Sequence, residues 1–331
     1  MNKLILAITA ALAVVGAVTY FSNTEVPTTR FLAATSEVDS AWTHWKQTTG
    51  KSYGTNSEET YRKSVFSQNF STVSATNSNQ SSYKLSMNKF ADMTDSEFKA
   101  QYRNFKASTR ARNPVDLPTA PYAWTDWRGV LTTGVKDQGQ CGSCWAFSTT
   151  GGAEGFYAKR HGSIQSFSEQ QLVDCSRSYG NNGCQGGWPD SGYRYAIDHG
   201  LELESQYGYT ARNGSCRASG RPTFTMNAFS DIGASDSALE NAVAIQPVSV
   251  AIDANPLQMY TSGIFNDWSC GHGLDHAVLV VGYGVENGQK FFIVKNSWGA
   301  AWGESGYVRF ARRSAGVGMC GITLQASFPT A

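Results

Sequence analysis

The stretch QGQCGSCWAFS, residues 138–148, sets two cysteines three positions apart between glycines, just before residues that read as the start of a helix. A helix N-terminus carries about half a positive charge. A thiolate, not a thiol, attacks a carbonyl, so a nucleophilic cysteine belongs where the charged form is favoured. Cys144 falls in the first turn of the predicted helix, which runs from near Ser143 to about Arg160 with Gly162 as its stop. Cys141 falls in the glycine-bounded loop before it, better placed to tie that loop down. Position favours Cys144 as the reactive thiol.

Such a thiolate needs a group that holds its proton and later delivers it to a leaving amine, a task suited to histidine. Four histidines follow Trp124. His161 and His199 precede glycines at apparent helix ends and read as solvated capping residues, and His272 lies in the loop SCGHGLDH. His276 opens the strand-like run HAVLVVGYG, a rigid element that can fix a ring. Alone it would read as a core histidine. The segment VKNSWG, 294–299, changes that reading by placing Asn296 on the next strand beside Trp298. An amide oxygen can accept the imidazole N–H, and an indole can shield that bond from water.

These motifs resemble a papain-family cysteine peptidase of the cathepsin L type, whose C-G-[SA]-C-[WY] signature is followed by His and Asn some 130 to 150 residues on. Here His276 and Asn296 lie 132 and 152 positions after Cys144. The resemblance implies an α+β, two-domain papain-like fold, a helical half and an antiparallel barrel-like half, preceded by a helical propeptide. Catalytic roles carried over are Cys144 as nucleophile, His276 as general acid/base, Asn296 as the ring's orienter and Gln138 as an oxyanion donor. The family pattern pairs Cys141 with Cys184, Cys175 with Cys216 and Cys270 with Cys320, leaving Cys144 free.

By position, the pocket for the second residue before the scissile bond has Trp188, Pro189, Ala251 and Leu274 as walls and Gln325 at its base, implying a preference for Leu, Phe or Val. Gly186 and Gly187 would let a substrate backbone approach closely, and Trp298 would cover the His276–Asn296 pair. Asp275 reads as a backbone-bonding loop residue. Upstream, Glu58, Arg62, Phe66, Asn69, Val73 and Asn77 match the inhibitory propeptide pattern E-x3-R-x3-F-x2-N-x3-I-x3-N, with Val73 replacing isoleucine. SMNKFADMT resembles its G-x-N-x-F-x-D element, with Ser86 replacing glycine. The family's propeptide lays an extended strand backward through the cleft.

Wider features fit this organisation. Apolar positions Tyr61, Val65, Phe66, Phe70 and Val73 recur at helical spacing in one long predicted helix, with Glu58 and Arg62 a turn apart and able to pair. The runs QPVSVAIDA, HAVLVVGYG, KFFIVKNSWG and GYVRFAR predict strands. Residues 1–20 read as a signal peptide, 21–120 as propeptide (helical core about 38–98) plus a proline-bearing linker, and 121–331 as the mature enzyme, beginning between Leu117 and Tyr122. Through residue 120 there are 13 Lys+Arg against 9 Asp+Glu, and beyond it 14 against 17, so a +4 segment precedes a −3 segment. A formal net charge of +1 argues against nucleic-acid binding.

All seven cysteines lie between 141 and 320, and an odd count in the secretory pathway leaves a thiol over. Expected partners are protein and peptide substrates, the chain's own propeptide and cystatin-type inhibitors, with a monomeric mature form. The expected location is the secretory pathway, ending in a lysosome, a food vacuole or outside the cell. No metal or organic cofactor is implied. Of the sequons at Asn69, Asn79 and Asn213, Asn213 is the one expected to carry glycan. A catalytically silent binding protein and an exopeptidase are the competing readings. Every member of the catalytic set is present, and no paired-histidine insertion appears between residues 175 and 216.

Overall fold

A computed structural model describes residues 28–79, 82–105, 108, 110–312 and 316–331. The expected signal peptide lies outside the described residues. The chain divides into compact units Met1–His44 and Trp45–Ala331. In the first, the described residues belong to helix α1 (Thr28–Thr49), which continues into the second.

The second unit opens with α2 (Asn56–Asn79), the long helix expected from its periodicity. Phe66 is fully buried against Trp45, ring centroids 5.3 Å apart, and Val65 and Val73 are buried with it. Tyr61 departs from the expected apolar face: it is 48% exposed, with the Arg62 guanidinium 5.3 Å over its ring. Arg62 does not pair with Glu58. Its guanidinium reaches Glu97 at 2.9 Å and the Asp92 carbonyl at 3.1 Å, because the segment folding back against α2 supplies better-placed acceptors.

Two asparagines of α2 hold that returning segment. Asn69 Nδ2 donates to the carbonyls of Ala91 and Met93. Asn77 bonds both the N–H and the C=O of Leu85, as a neighbouring strand would. Strand β1 (Tyr83–Leu85) is thereby fixed. Ser86 is not among the residues with positive φ, so this turn does not require the family's usual glycine. Helix α3 (Asp95–Tyr102) begins with a Thr94–Glu97 capping box.

Beyond it come β2 (Pro114–Val115), β3 (Thr125–Asp126), α4 (Cys144–His161), α5 (Glu169–Cys175), α6 (Pro189–His199), β4 (Ala228–Ile232), α7 (Asp236–Val243), β5 (Val248–Ile252), β6 (Tyr260–Phe265), β7 (His276–Glu286), β8 (Gln289–Lys295), β9 (Tyr307–Ala311) and β10 (Ala326–Thr330). The sheet order is β1-β6-β9-β8-β7-β5-β10-β4-β2, with β3 on β7. Pairing is antiparallel except for β6 with β9 and β2 with β4. Strands β1 and β2, from the expected propeptide and linker, close the two ends of this sheet.

Helix α4 is buried along most of its length because its inward face is small. A Cβ on Gly151 would lie 2.8 Å from Leu279, and one on Gly155 2.8 Å from the Pro247 ring. The Ser148 hydroxyl donates to Val278 O at 2.7 Å, tying α4 to β7. Gly162 ends the helix in the left-handed region at φ 68°. Disulfides join Cys141 to Cys184, Cys175 to Cys216 and Cys270 to Cys320, and Cys144 is free.

Phe66→Ala removes a fully buried ring between Trp45 and Phe70. A cost of about 3–5 kcal/mol to this helical segment is expected, read as a lowered first transition in a thermal melt of the full chain.

Candidate active site

Cys144 is the first residue of α4 and is fully buried. Ser143 precedes it without capping the helix by its side chain, its hydroxyl lying 2.6 Å from that of Tyr209. The backbone N–H groups of Cys144 and Trp145 favour the charged form of the sulfur. The Ala277 N–H donates to Cys144 Sγ at 3.5 Å, so the start of β7 lies against the thiol.

His276, the residue before Ala277, is also fully buried. Its Nε2 lies 2.8 Å from Asn296 Oδ1. That oxygen also accepts from Ser297 N at 2.8 Å, which fixes it as the acceptor and Nε2 as the protonated nitrogen. Asn296 sits one residue past the end of β8, not within it, and its N–H is held by Gly306 O. Trp298 stacks on the imidazole, centroids 4.6 Å apart and planes at 28°. Three buried polar atoms here have no hydrogen-bond partner: His276 Nδ1, Asn296 Nδ2 and Trp298 Nε1. The unbonded His276 Nδ1 is the ring nitrogen available to exchange a proton.

Gln138 is buried, its side-chain oxygen accepting from the Ser297 hydroxyl at 2.7 Å. This leaves Nε2 as donor, 2.9 Å from Cys141 O and 3.4 Å from Tyr102 O. Ser297 holds this side-chain amide, and Tyr209, whose hydroxyl donates to the Gln138 backbone carbonyl at 2.8 Å, holds the residue's backbone. Neither was picked out from sequence; Ser297, inside the VKNSWG motif, had a signal by proximity.

The segment after α3 threads the cleft. Tyr102 O lies at Gln138, and a Cβ on Gly186 would fall 2.1 Å from Asn104 O. Phe105 N donates to Asp275 O at 3.0 Å, and its ring, 4% exposed, belongs to one buried cluster with Ala251 and Leu274, against which Trp188 and Leu324 pack. Pro189 is buried as the first residue of α6. Gln325 grips the Ser108 backbone, donating to its carbonyl at 3.0 Å and accepting from its N–H at 3.2 Å. At Gly187 the space a side chain would need is taken by Asn181 and the Trp145 indole.

Arg103 fixes this segment. Its guanidinium, with a side chain 1% exposed, lies 3.1 Å from Asp275, bonds Asn255 Oδ1 at 3.0 Å, and also pairs with Asp95. Aromatic rings of Phe98, Phe90 and Tyr102 stand edge-on to Trp298 at 4.9, 6.0 and 6.5 Å. With the cleft so covered, burial pushes the Cys144 thiol up to about 12, against N–H groups of Ala277 and Trp145 that favour the thiolate. Burial likewise pulls His276 down to about 4, opposed by its bond to Asn296. In the covered site both groups are uncharged at neutral pH.

Residues 120–330 match the family model described as papain family cysteine protease, and residues 42–98 the cathepsin propeptide inhibitor domain. Digestive cysteine proteinase 2 of Homarus americanus is 44% identical, covering 87% of this chain and 94% of its own. Cathepsin L of Sarcophaga peregrina is 40% identical, covering 92% and 96%. Among solved structures, digestive procathepsin L 3 of the Tenebrio molitor larval midgut has a TM-score of 0.82 and 42% identity, covering 89% of this chain and 99% of its own.

The raised thiol pKa has a direct readout. Iodoacetamide should label Cys144 of the full chain slowly, at a rate that climbs with pH and shows no plateau through neutrality. Fast labelling at neutral pH of the uncleaved chain would contradict the covered, uncharged site.

Proposed function

The chain belongs to the papain family of cysteine proteases, is cathepsin L-like over most of its length and is made as a zymogen, and from that premise we propose a secretory-pathway endopeptidase acting through a Cys144 acyl-enzyme. The supporting observation is the 2.8 Å bond of His276 Nε2 to Asn296, which leaves Nδ1 open while Cys144 Sγ lies against the next residue of β7.

Once the propeptide leaves, the proton of Cys144 passes to His276. The thiolate attacks the substrate carbonyl carbon, and the tetrahedral oxyanion takes hydrogen bonds from Gln138 Nε2 and the Cys144 N–H. The carbon–nitrogen bond then breaks as His276 protonates the departing amine, leaving a thioester. Water, deprotonated by His276, attacks that thioester and regenerates the thiol.

Trp188, Pro189, Ala251 and Leu274 are proposed to favour Leu, Phe or Val as the second residue before the scissile bond, as the burial of Phe105 with Ala251 and Leu274 supports. The mature chain begins between Leu117 and Tyr122. It acts as a monomer, takes cystatin-type inhibitors, and works in a lysosome, food vacuole or digestive fluid, in keeping with its digestive relatives.

Acid weakens the closed form through carboxylates whose pKa it depresses. Burial alone would raise Glu97, but the Thr94 N–H and Arg62 outweigh it and hold Glu97 below 4.5. Asp267, bonded to the Tyr83 hydroxyl of β1, is likewise held below 3.8 against its burial, by Ser269 and Tyr83. Each contributes stability that is present above its unfolded pKa and lost as pH falls through the depressed one. Asp275 works in the opposite sense. Burial raises it to about 6 despite Arg103, so the closed form takes up this proton more readily, and acid in that window does not drive release through Asp275.

The decisive assay is acid activation of the full chain followed by hydrolysis of a fluorogenic Phe-Arg peptide, with an epoxide thiol alkylator and Cys144→Ser as controls. Turnover abolished by both is expected; none from a correctly processed enzyme would favour a silent binding protein. Gln138→Ala should lower kcat by about 10²–10³-fold. Glu97→Gln, which removes the charge partner of Arg62, should raise the pH at which processing begins, followed by gel densitometry across a pH series.

A further inference from the structure

The geometry points to a guanidinium subsite, formed by Asp190, Asp231 and the Phe229 ring, at the end of the cleft away from Gln138. This rests on the peptidase reading above. In the closed chain the site is filled by Arg110, whose Nε donates to Asp190 Oδ2 at 2.7 Å. Its Nη2 donates to both oxygens of Asp231, at 2.6 and 2.9 Å. Its guanidinium carbon lies 5.4 Å over the Phe229 ring. Two carboxylates and an aromatic face suit a planar, forked cation better than a lysine ammonium.

Processing empties this site. Asp190 and Asp231 are 5% and 4% exposed in the closed form. The bonds to the Asp231 carboxylate come from Arg110, Arg112 and the Asn113 N–H, all upstream of the mature start proposed above. Asp190 keeps one, from the Ser191 N–H in the first turn of α6. The mature enzyme is left with two facing carboxylates that a single guanidinium spans, and an uncompensated carboxylate recruits a replacement cation.

Its position places the site on substrate. Along the propeptide, Tyr102 meets Gln138, Asn104 meets Gly186, Phe105 joins the Leu274 cluster, Ser108 meets Gln325, and Arg110 comes next. Asp190 follows the pocket residue Pro189, and Asp231 pairs across the sheet with Ser327, two residues beyond Gln325. A substrate running opposite to the propeptide would offer this site a residue on the amino-terminal side of the one in the apolar pocket. Arg110 lies five residues beyond Phe105, so substrates with arginine one to five residues before the one in the apolar pocket, three to seven positions before the scissile bond, are selected.

The test uses quenched-fluorescence peptides with Leu second before the scissile bond and Arg, Lys or citrulline at each of those five positions, cleaved by the activated enzyme at low and high salt. At one position, Arg should exceed citrulline in kcat/KM by about tenfold or more, equivalent to about 1.4 kcal/mol, through KM, with Lys between them and the advantage shrinking in salt. In Asp231→Asn the Arg-to-citrulline ratio should fall toward one; should that variant not fold, the wild-type comparison and its salt dependence decide. Equal rates for Arg and citrulline at all five positions, from an enzyme that cleaves them, would overturn the subsite and leave the peptidase standing. Cleavage of none would overturn both.

Discussion

A sulfur at the first turn of a buried helix is the constraint on which the remaining arrangement depends. Its surroundings come from two directions: the N-terminal amides of α4, and the start of β7, whose Ala277 N–H meets Sγ. Helix and strand can approach so closely only because α4 turns glycines and a serine toward Leu279, Pro247 and Val278. Once β7 is there, His276 is carried in by chain connectivity. Asn296 follows because β8 pairs antiparallel with β7 and ends one residue before it. The same contact that assembles the site also dries it, which is why a covering segment leaves thiol and imidazole uncharged.

The covering segment fills the cleft with groups of its own. It places a carbonyl near the Gln138 amide, backbone against Gly186, an aromatic ring in the apolar cluster and a cation between two carboxylates. Its own fold holds it there. Arg62–Glu97 and the Thr94 capping box fix α3, and from α3 the Phe98 and Tyr102 rings reach Trp298. Arg103, buried between Asp95 and Asp275, anchors the exit of that helix.

Sequence made the local elements legible wherever period and punctuation agreed. Helix α4 begins at Cys144 and stops at Gly162, as its flanking residues suggest; β5 and β9 fall inside the runs read as strands, while β7 runs on to Glu286 and β8 starts one residue early at Gln289. Contacts between distant segments were not legible. Arg62 seemed paired with Glu58 because a helix turn brings them close, whereas the returning chain offered Glu97. Gly187 read like Gly186, but one packs behind on Trp145 while the other faces the strand, a difference of backbone orientation that composition does not carry. The three-residue strand β1 had no period to detect; its partners are Asn77 and β6.

Disulfides join only residues from Cys141 onward, and every contact between the inhibitory segment and the cleft is noncovalent. While the chain is continuous, inhibition is a unimolecular equilibrium, with the blocking strand at a local concentration on the order of millimolar. One cut in the linker makes it bimolecular, and occupancy then depends on dilution. No reductant is needed to separate the pieces. In a dilute compartment a single cut ends latency; in a crowded storage vesicle the severed segment goes on inhibiting.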